Sequence, residues 1–380
     1  MGNLNGGSSK HKHSSSDTHV CIAQKTDSKE LYAMKYMNKK DCIKGGVVSN
    51  IIEELKLLRR IQHDHIVNLR FAFHDFEDMC LVVDLLQGGD LRYHLNKSHR
   101  FSEHDVSIYL MEIASALEYL HSHWIVHRDV KPDNILMCLQ GHVYLTDFNV
   151  ATRLDTEDGL LVSQTGTWSY MAPEIFATGA GLLTGYSYSV DWWSLGVTCY
   201  ELCHGHGPFS DMPKTGEGML TMFNLTSYYR VLSKLSPKFC SVIKKMLAID
   251  MDNRLMSHSE ISSRLNLHSA GTDSDPLTPQ YLPSQEMLNA DPTYELEELI
   301  MESKPIHKKR SRLSKSASKE CPLQEKWKET LTLIEEQFKP FNYLVRESSN
   351  DSTSSTSPSE LDDSHLKGYP SVPTDTLKDE

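Results

Sequence analysis

The sequence lacks a long apolar run, and this absence excludes a membrane-spanning helix from the expected architecture. No stretch reaches the 18 or more consecutive apolar residues needed to cross a bilayer, and no secretory signal is recognisable. The eight cysteines include no C-x-x-C pair, so the sequence indicates neither a zinc ribbon nor a disulfide framework. We therefore expect an intracellular, cytoplasmic protein whose cysteines are thiols.

Positive charge is also scarce. The chain has 39 Lys and Arg against 51 Asp and Glu, which gives a formal net charge of −12. This balance argues against a broad nucleic-acid-binding surface, so no nucleic-acid partner is expected. The 19 histidines include His63-Asp64-His65 and His204-Gly205-His206, but these lack partner ligands at zinc spacing and are interpreted as non-metal.

The centre of the chain contains an ordered set of polar motifs. H-R-D-x-K-x-x-N occupies residues 127–134, Asp147-Phe148-Asn149 follows, and Ala172-Pro173-Glu174 comes next. This order is typical of the catalytic loop, the metal loop and the end of the activation segment in protein kinases. One three-residue match would mean little, whereas three in order predict phosphoryl transfer.

The chemistry of phosphoryl transfer explains these residue types. A carboxylate must orient and deprotonate the acceptor hydroxyl, and Asp129 suits that role. Mg2+ prefers hard oxygen ligands, which Asp147 and Asn134 supply. Lys131 provides a cation near the transferring phosphate. An isolated aspartate would more simply be a solvated loop charge, but this constellation favours catalysis.

Hydrophobic periodicity predicts the elements around these motifs. Strands are predicted at residues 20–24, 31–37, 66–73 and 80–84, and helices at 51–61, 107–121, 191–202 and 325–337. Lys35 lies on the second strand, and Glu54 on the first helix is its predicted ion-pair partner, with Glu53 as the neighbouring alternative.

Two further contacts are predicted for the large helical part. Asp191 begins an apolar helix, and a buried aspartate needs partners, which we expect from the backbone of the catalytic loop. Arg254 is the expected ion-pair partner of Glu174.

With these residues in place, the chain resembles serine/threonine protein kinases of the AGC group, and most of all the YANK subfamily, the serine/threonine-protein kinase 32 proteins. The resemblance covers about residues 20–345. It rests on segments 32–39, 82–86, 88–95, 127–134, 145–149 and 187–193, and on the tail segment 291–309.

The resemblance implies an α+β, bilobal kinase fold. The expected parts are a disordered start (1–19), a small β-rich lobe (20–83), a hinge (84–88), a large mainly helical lobe (89–266), an AGC-like tail (267–345) and a disordered acidic end (346–380). It also implies ATP and Mg2+ as cofactors and protein Ser/Thr substrates.

The family pattern assigns functions to individual positions. Asp129, Lys131 and Asn134 are the implied catalytic residues, and Asn134 and Asp147 the implied metal ligands. The implied nucleotide-binding residues are Val20, Ala33, Lys35, Glu54, Asp84, Leu86, Asp90, Leu136 and Asp147.

Partners and regulation are expected from four further positions. Ser163 is the preferred site for an upstream kinase, because Arg128 can pair with a loop phosphate in a bidentate manner. Asp90 and Asp133 match positions at which basophilic AGC kinases face substrate arginines, so basic-directed substrates are a hypothesis.

The tail and the N-terminus raise questions of docking and membrane attachment. Phe338-x-x-Phe341 resembles the AGC hydrophobic motif, with Asn342 at its phosphorylatable position. A short helix is suggested at 291–300. The basic run 307–312 is most simply solvated, with an anionic membrane or an import receptor as alternatives. Met1-Gly2 raises N-myristoylation, although Gly6 departs from that pattern.

The chain departs from the family in two places. The G-x-G-x-x-G loop and first strand that should precede Val20 are missing, which predicts weaker ATP affinity and lower stability. Asn149 replaces the usual glycine, and its tolerance of positive φ should preserve the metal loop. Two hypotheses follow: a Ser/Thr kinase, weakened by this loss, or a pseudokinase-like scaffold.

Overall fold

Residues 18–209, 215–216, 218–220, 235–266, 278–283, 322–339 and 341–342 are described by a computed structural model of the chain. The acylation site at Gly2, the helix suggested at 291–300, the basic run 307–312 and the acidic end lie outside these ranges. In the part described, no helix combines the length and apolar character required to cross a bilayer.

The N-terminal part is an antiparallel sheet. Its strands are β1 (Thr18–Gln24), β2 (Leu31–Asn38), β3 (Leu69–His74), β4 (Asp78–Asp84) and, near the end of the chain, β9 (Phe341–Asn342). The order in the sheet is β1-β2-β4-β3-β9. β1 therefore lies at one edge of the sheet formed by the described strands.

The register of the sheet puts three of the predicted nucleotide-binding residues on one face. Val20 lies opposite Lys35 across β1 and β2, and Ala33 lies opposite Val83 across β2 and β4. Directly opposed residues share a face, and so do residues two apart on a strand. Val20, Ala33 and Lys35 consequently project to the same side, where Val20 is 60% exposed.

Two helices follow β2. Sequence periodicity did not predict α1 (Lys39–Gly45), although Asn38 caps its N-terminus and Gly46 ends it at a φ of 67°. The predicted helix at 51–61 is α2 (Val48–Leu58). One face of α2, which includes Leu55 and Leu58, is buried in the core.

The large lobe is built on two long helices. Its helices are α3 (Leu91–Ser98), α4 (Glu103–Ser122), α5 (Pro173–Gly179), α6 (Ser189–His204), α7 (Pro237–Met246) and α8 (His258–Leu265). Short strands β5 (Ile125–Val126), β6 (Ile135–Met137), β7 (Val143–Leu145) and β8 (Thr152–Arg153) carry the catalytic segments. α4 begins four residues earlier than predicted, because Ser102 caps it.

A helix near the C-terminus packs against the small lobe. α9 (Pro322–Gln337) lies beside α1 and α2. Ile334 and, just after the helix, Phe338 are fully buried in the core, and Arg59 Nη2 donates to the Lys339 carbonyl at 3.0 Å. The predicted hydrophobic-motif residue Phe338 is thus inserted beside the helix that carries Glu54.

Candidate active site

The lysine–glutamate pair predicted for the small lobe is present. Lys35 Nζ lies 3.0 and 3.1 Å from the two carboxylate oxygens of Glu54, which is buried. Burial raises the pKa of Glu54, and the charge of Lys35 opposes that rise. Glu53, the alternative, is exposed and pairs with Lys56 instead. This ion pair joins β2 to α2 and presents the lysine to the cleft.

The backbone of the catalytic loop is held by Asp191, which lies in the first turn of α6. Its carboxylate accepts from the backbone N–H of His127 at 2.9 Å and of Arg128 at 2.7 Å, as predicted, and contacts His121 Nε2 at 2.9 Å. Burial alone would raise the pKa of Asp191, but His121 and these hydrogen bonds outweigh it and lower the pKa. A charged anchor therefore holds the loop backbone, where Arg128 has a φ of 67°.

Asp129 lies at the centre of a set of converging donors. Its Oδ2 is 2.7 Å from Lys131 Nζ and 3.0 Å from Asn134 Nδ2. Its Oδ1 accepts from the Thr167 hydroxyl at 2.6 Å and from the Thr167 N–H at 2.9 Å. Burial would raise the pKa of Asp129, but Lys131 and Thr167 outweigh it and lower it. The carboxylate is consequently ionised and oriented at neutral pH.

The two implied metal ligands are neighbours through a hairpin. β6 pairs with β7 so that Ile135 opposes Leu145, and the Thr146 N–H donates to the Asn134 carbonyl at 3.0 Å. Asp147 follows Thr146 directly, so its backbone comes close to that of Asn134. The Asn134 amide nitrogen is used on Asp129, and its Oδ1 has no hydrogen-bond partner in the described ranges. A carboxylate and an unused amide oxygen suit a hard divalent cation that draws its other ligands from phosphates and water.

The two residues that follow Asp147 hold the metal loop in place. Phe148 is buried and packs edge-on against His127, with ring centroids 5.0 Å apart. Asn149 Oδ1 accepts from Lys35 Nζ at 3.3 Å. The positive φ in this loop, 67°, belongs to Asp147 rather than Asn149. The sequence-based reason for tolerating Asn149 was therefore wrong, because its side chain acts as a hydrogen-bond acceptor and not as a substitute for glycine geometry.

The segment between the lobes has backbone groups available for a ligand. Leu85 and Leu86 form no backbone hydrogen bond within the described ranges. Such groups can meet the edge of an adenine ring. The Asp84 side chain is otherwise engaged, since Arg70 Nε lies 2.5 Å from Oδ1 and the Asn68 N–H donates to Oδ2 at 3.0 Å. A contact of Asp84 with nucleotide would accordingly be made by its backbone.

Two further residues predicted to bind nucleotide, Leu136 and Asp90, lie near this segment. Leu136 is half-buried between buried Ile135 and Met137 on β6, so it faces the opposite side of the strand. An isolated bridge joins Leu136 to Asp90, whose side chain caps α3 by accepting from the Tyr93 N–H at 2.7 Å. Backbone hydrogen bonds of Met137 with Gly88 and Gly89 place both residues next to the segment 84–88. Their contact with nucleotide stays a prediction.

The activation segment reaches the predicted phosphate partner. Arg128 Nη1 donates to Ser163 Oγ at 2.9 Å, and Arg128 Nε donates to the Val150 carbonyl at 2.7 Å. Thr165 contacts Ser163 at 3.3 Å. The residues Arg128 and Ser163, 35 apart in the chain, are thus in contact, as their proposed roles require.

Sequence reasoning missed one cluster on the acceptor side of Asp129. Arg92 on α3 bonds to Glu201 on α6 and to Asp133 of the catalytic loop. Arg254 and Glu174, by contrast, form the predicted pair, with Arg254 Nη2 2.9 Å from Glu174 Oε2 in a fully buried setting. No motif spacing relates Arg92 to Glu201, so only the fold brings them together.

A lysine–glutamate pair, an aspartate held by three donor side chains, and Asn134 and Asp147 at the ends of one hairpin form the arrangement typical of a protein kinase. The protein kinase domain family matches residues 16–264, and the chain belongs to that family. Within it, the chain is one of the serine/threonine-protein kinase 32 group (YANK, AGC), as the relatives below show. The kinase domain implies ATP and a divalent metal ion.

The similarity extends over most of the chain. Serine/threonine-protein kinase 32B of Homo sapiens is 44% identical over 332 residues, which are 85% of this chain and 80% of the relative. Serine/threonine-protein kinase 32C of Mus musculus is 45% identical over 305 residues, 79% of this chain and 62% of the relative. The chain thus spans less than two thirds of the 32C protein. Serine/threonine-protein kinase Sgk2 of Rattus norvegicus is 38% identical over 204 residues, about half of each chain.

Proposed function

We propose that this protein transfers the γ-phosphate of ATP to serine and threonine hydroxyls of protein substrates, with Mg2+ as the metal ion. The observation that carries the proposal is the arrangement around Asp129. Its Oδ2 is held by Lys131 and Asn134, and its Oδ1 is held by Thr167 of the segment that meets the acceptor. A base so oriented serves transfer to a hydroxyl.

Each residue of the site has a separate role in the reaction. Asp129 accepts the proton of the attacking hydroxyl, and Lys131 places positive charge where the transferring phosphoryl group passes. Lys35, kept in the cleft by Glu54 and Asn149, binds the non-transferred phosphates. Asn134 and Asp147 would hold Mg2+, which neutralises charge on the phosphates when bound. In-line placement of donor and acceptor contributes further to the rate acceleration.

The missing glycine loop sets the limit of this activity. Its backbone N–H groups normally close over the phosphates, and the sequence before Val20 has no glycines at the required spacing. The remaining phosphate contacts come from Lys35 and the metal ligands. We therefore expect a weak ATP affinity, and the competing proposal is a scaffold that binds partners without turnover.

Nucleotide binding is tested by thermal shift. A ligand that binds only the native state stabilises it by about 1 kcal/mol when its concentration is fivefold above Kd, which raises Tm by roughly 2–4 °C for a domain of this size. We expect that rise with millimolar ATP and Mg2+, and its loss when Mg2+ is omitted. Asp147→Asn removes the carboxylate ligand and should abolish the rise.

The matched control is Asp64→Asn, the same change at an exposed aspartate outside the cleft. It should keep the full rise. A wild-type protein that shows no shift at millimolar ATP with Mg2+ would favour the scaffold over the kinase proposal for this chain.

We also propose that an upstream kinase phosphorylates Ser163. The Arg128 guanidinium already contacts Ser163 Oγ, and a phosphate there would gain charge-assisted hydrogen bonds that order the segment. Phosphopeptide mapping of active protein should find phosphate on Ser163, and Ser163→Ala should lower kcat by about tenfold or more.

Thr165→Ala is the control for Ser163, because in the described part of the chain the Thr165 hydroxyl donates to Ser163 Oγ, whereas Arg128 bonds to Ser163 and not to Thr165. It should leave kcat nearly unchanged. An active preparation in which Ser163 carries no phosphate would remove this site from the mechanism.

Two further proposals concern location and substrate charge. We propose a cytoplasmic location, supported by the seven described cysteines, which carry thiols rather than disulfides. We propose a modest preference for basic substrates, supported by the carboxylates of Asp133 and Glu201 on the acceptor side. Their partner Arg92 compensates one of the two charges.

A further inference from the structure

A pocket lies beside the catalytic base Asp129, and the guanidinium of Arg92 occupies its acidic side. The pocket has a volume of about 340 Å3, and its lining includes Lys131, Thr167, Asp133, Glu201 and Arg92. Lys131 and Thr167 both bond to Asp129, so the pocket adjoins the place of the acceptor hydroxyl. A substrate residue close to the acceptor in sequence must pass over it.

Arg92 uses all three of its guanidinium nitrogens in this pocket. Nη1 and Nη2 lie 2.8 and 3.1 Å from the two oxygens of Glu201, a bidentate pair. Nε lies 3.2 Å from Asp133 Oδ2, and Nη2 lies 2.5 Å from the Tyr170 hydroxyl, which itself donates to Glu201. These are the contacts that a guanidinium from a bound peptide would make with the same carboxylates.

The exposure of the two carboxylates shows which charge remains open to a substrate. The Glu201 side chain is 10% exposed and bidentate with Arg92, whereas the Asp133 side chain is 46% exposed and bonded through one oxygen. Two negative charges and one positive charge leave one net negative charge, located toward Asp133. A basic substrate residue therefore meets one net negative charge instead of the two that the carboxylates alone would supply.

We propose that Arg92 is a specificity-determining residue of this kinase: its guanidinium occupies the position that a substrate arginine would take between Asp133 and Glu201, and so restrains selection for arginine at one position near the acceptor. The inference deepens the proposed kinase function and rests on it. A residue that merely ties α3 to α6 would affect all substrates alike, and this difference makes the inference testable.

The test is an arginine walk on a serine peptide. A single arginine is placed in turn at each position from five before to three after the acceptor, and kcat/KM is compared with that of the all-alanine parent. For wild type we expect an arginine-to-alanine ratio of about fivefold or less at every position, as for a half-exposed ion pair. In Arg92→Gln and Arg92→Met the ratio should rise by about tenfold or more at one position.

Two control variants separate charge from structure. Arg92→Lys keeps the positive charge and should retain the wild-type ratio. Arg100→Gln makes the same change at an exposed arginine after α3 and should also leave the ratio unchanged. Adding Asp133→Asn to Arg92→Gln should remove most of the gain, because the exposed carboxylate is then neutral.

A binding assay makes the result independent of turnover. Fluorescence anisotropy of the same peptides with alanine at the acceptor position should show the same gain at the same position. A gain in binding without any phosphorylation would reject the proposed kinase function and keep the role of Arg92. Equal effects on every peptide, or arginine selection in wild type as strong as in Arg92→Gln, would overturn the inference.

Asp133→Asn alone covers the case in which the Arg92 variants do not fold. It removes the exposed carboxylate and leaves buried Glu201 paired with Arg92. The wild-type ratio at the responsive position should then fall to about one, and an unchanged ratio would contradict the proposed subsite.

Discussion

Asp129→Asn is expected to lower kcat by about 10²- to 10⁴-fold, the range attributed to a positioned general base. Asparagine has the size of aspartate and keeps one oxygen for the Thr167 hydroxyl. Its amide nitrogen would instead face Lys131 Nζ and Asn134 Nδ2, two donors that lose their acceptor. The variant thus loses both the base and the local order, and single-turnover phosphorylation of a serine peptide measures the loss.

The thermal shift with ATP and Mg2+ separates this effect from a general collapse of the site. Asp129 is not one of the groups that hold the nucleotide, so the Tm rise should persist in Asp129→Asn while transfer disappears. Asp64→Asn, the exposed control, should keep both the shift and the rate. If Asp129→Asn kept more than a few per cent of wild-type kcat, the role of Asp129 as the base would be contradicted.

Phe338→Ala is expected to lower the free energy of unfolding by about 3–5 kcal/mol, the usual cost of truncating a buried phenylalanine. Phe338 and Ile334 are fully buried beside α1 and α2, and α2 carries Glu54. Loss of this packing should loosen α2 and lower kcat together with stability. Urea denaturation gives the free energy, and kcat is measured well below Tm so that the two effects are resolved.

Leu333→Ala, on α9 shortly before Phe338, provides the comparison. Leu333 is 43% exposed, and a surface truncation of this kind changes stability by only about 0.5 kcal/mol. Its kcat should equal that of wild type. If Phe338→Ala and Leu333→Ala behaved alike, Phe338 would have no part in supporting the lysine–glutamate pair.

The sequence predicted those parts of the site in which local chemistry dictates the residue type. Asp129, Asn134 and Asp147 lie within two short motifs, and the helical period around Glu54 placed it one turn before a buried leucine. The partner of Asp191 followed from a general requirement, since a fully buried carboxylate must accept hydrogen bonds. Asp129 contacts Asn134, Lys35 pairs with Glu54 and Asp191 holds the catalytic loop, whereas the role of Asp147 as a metal ligand stays a prediction.

Other contacts could not be predicted because they depend on three-dimensional packing. Arg92 and Glu201 are 109 residues apart, and neither lies in a recognisable motif. The bond between Lys35 and Asn149 spans 114 residues and depends on how far the metal loop approaches β2. For α1, by contrast, the cap residues Asn38 and Gly46 were visible in the sequence, but seven residues are too few to establish a helical period.

The bond between Lys35 and Asn149 has a consequence for small-molecule inhibition. Together with the edge-on packing of Phe148 on His127, it ties the metal loop to both lobes. A compound that needs the phenylalanine ring to leave its pocket must break both contacts, whereas one that leaves the ring in place breaks neither. Inhibitors of this protein should therefore be sought among ligands that leave the Phe148 ring in its pocket, and Asn149→Gly would widen the range of chemotypes that bind.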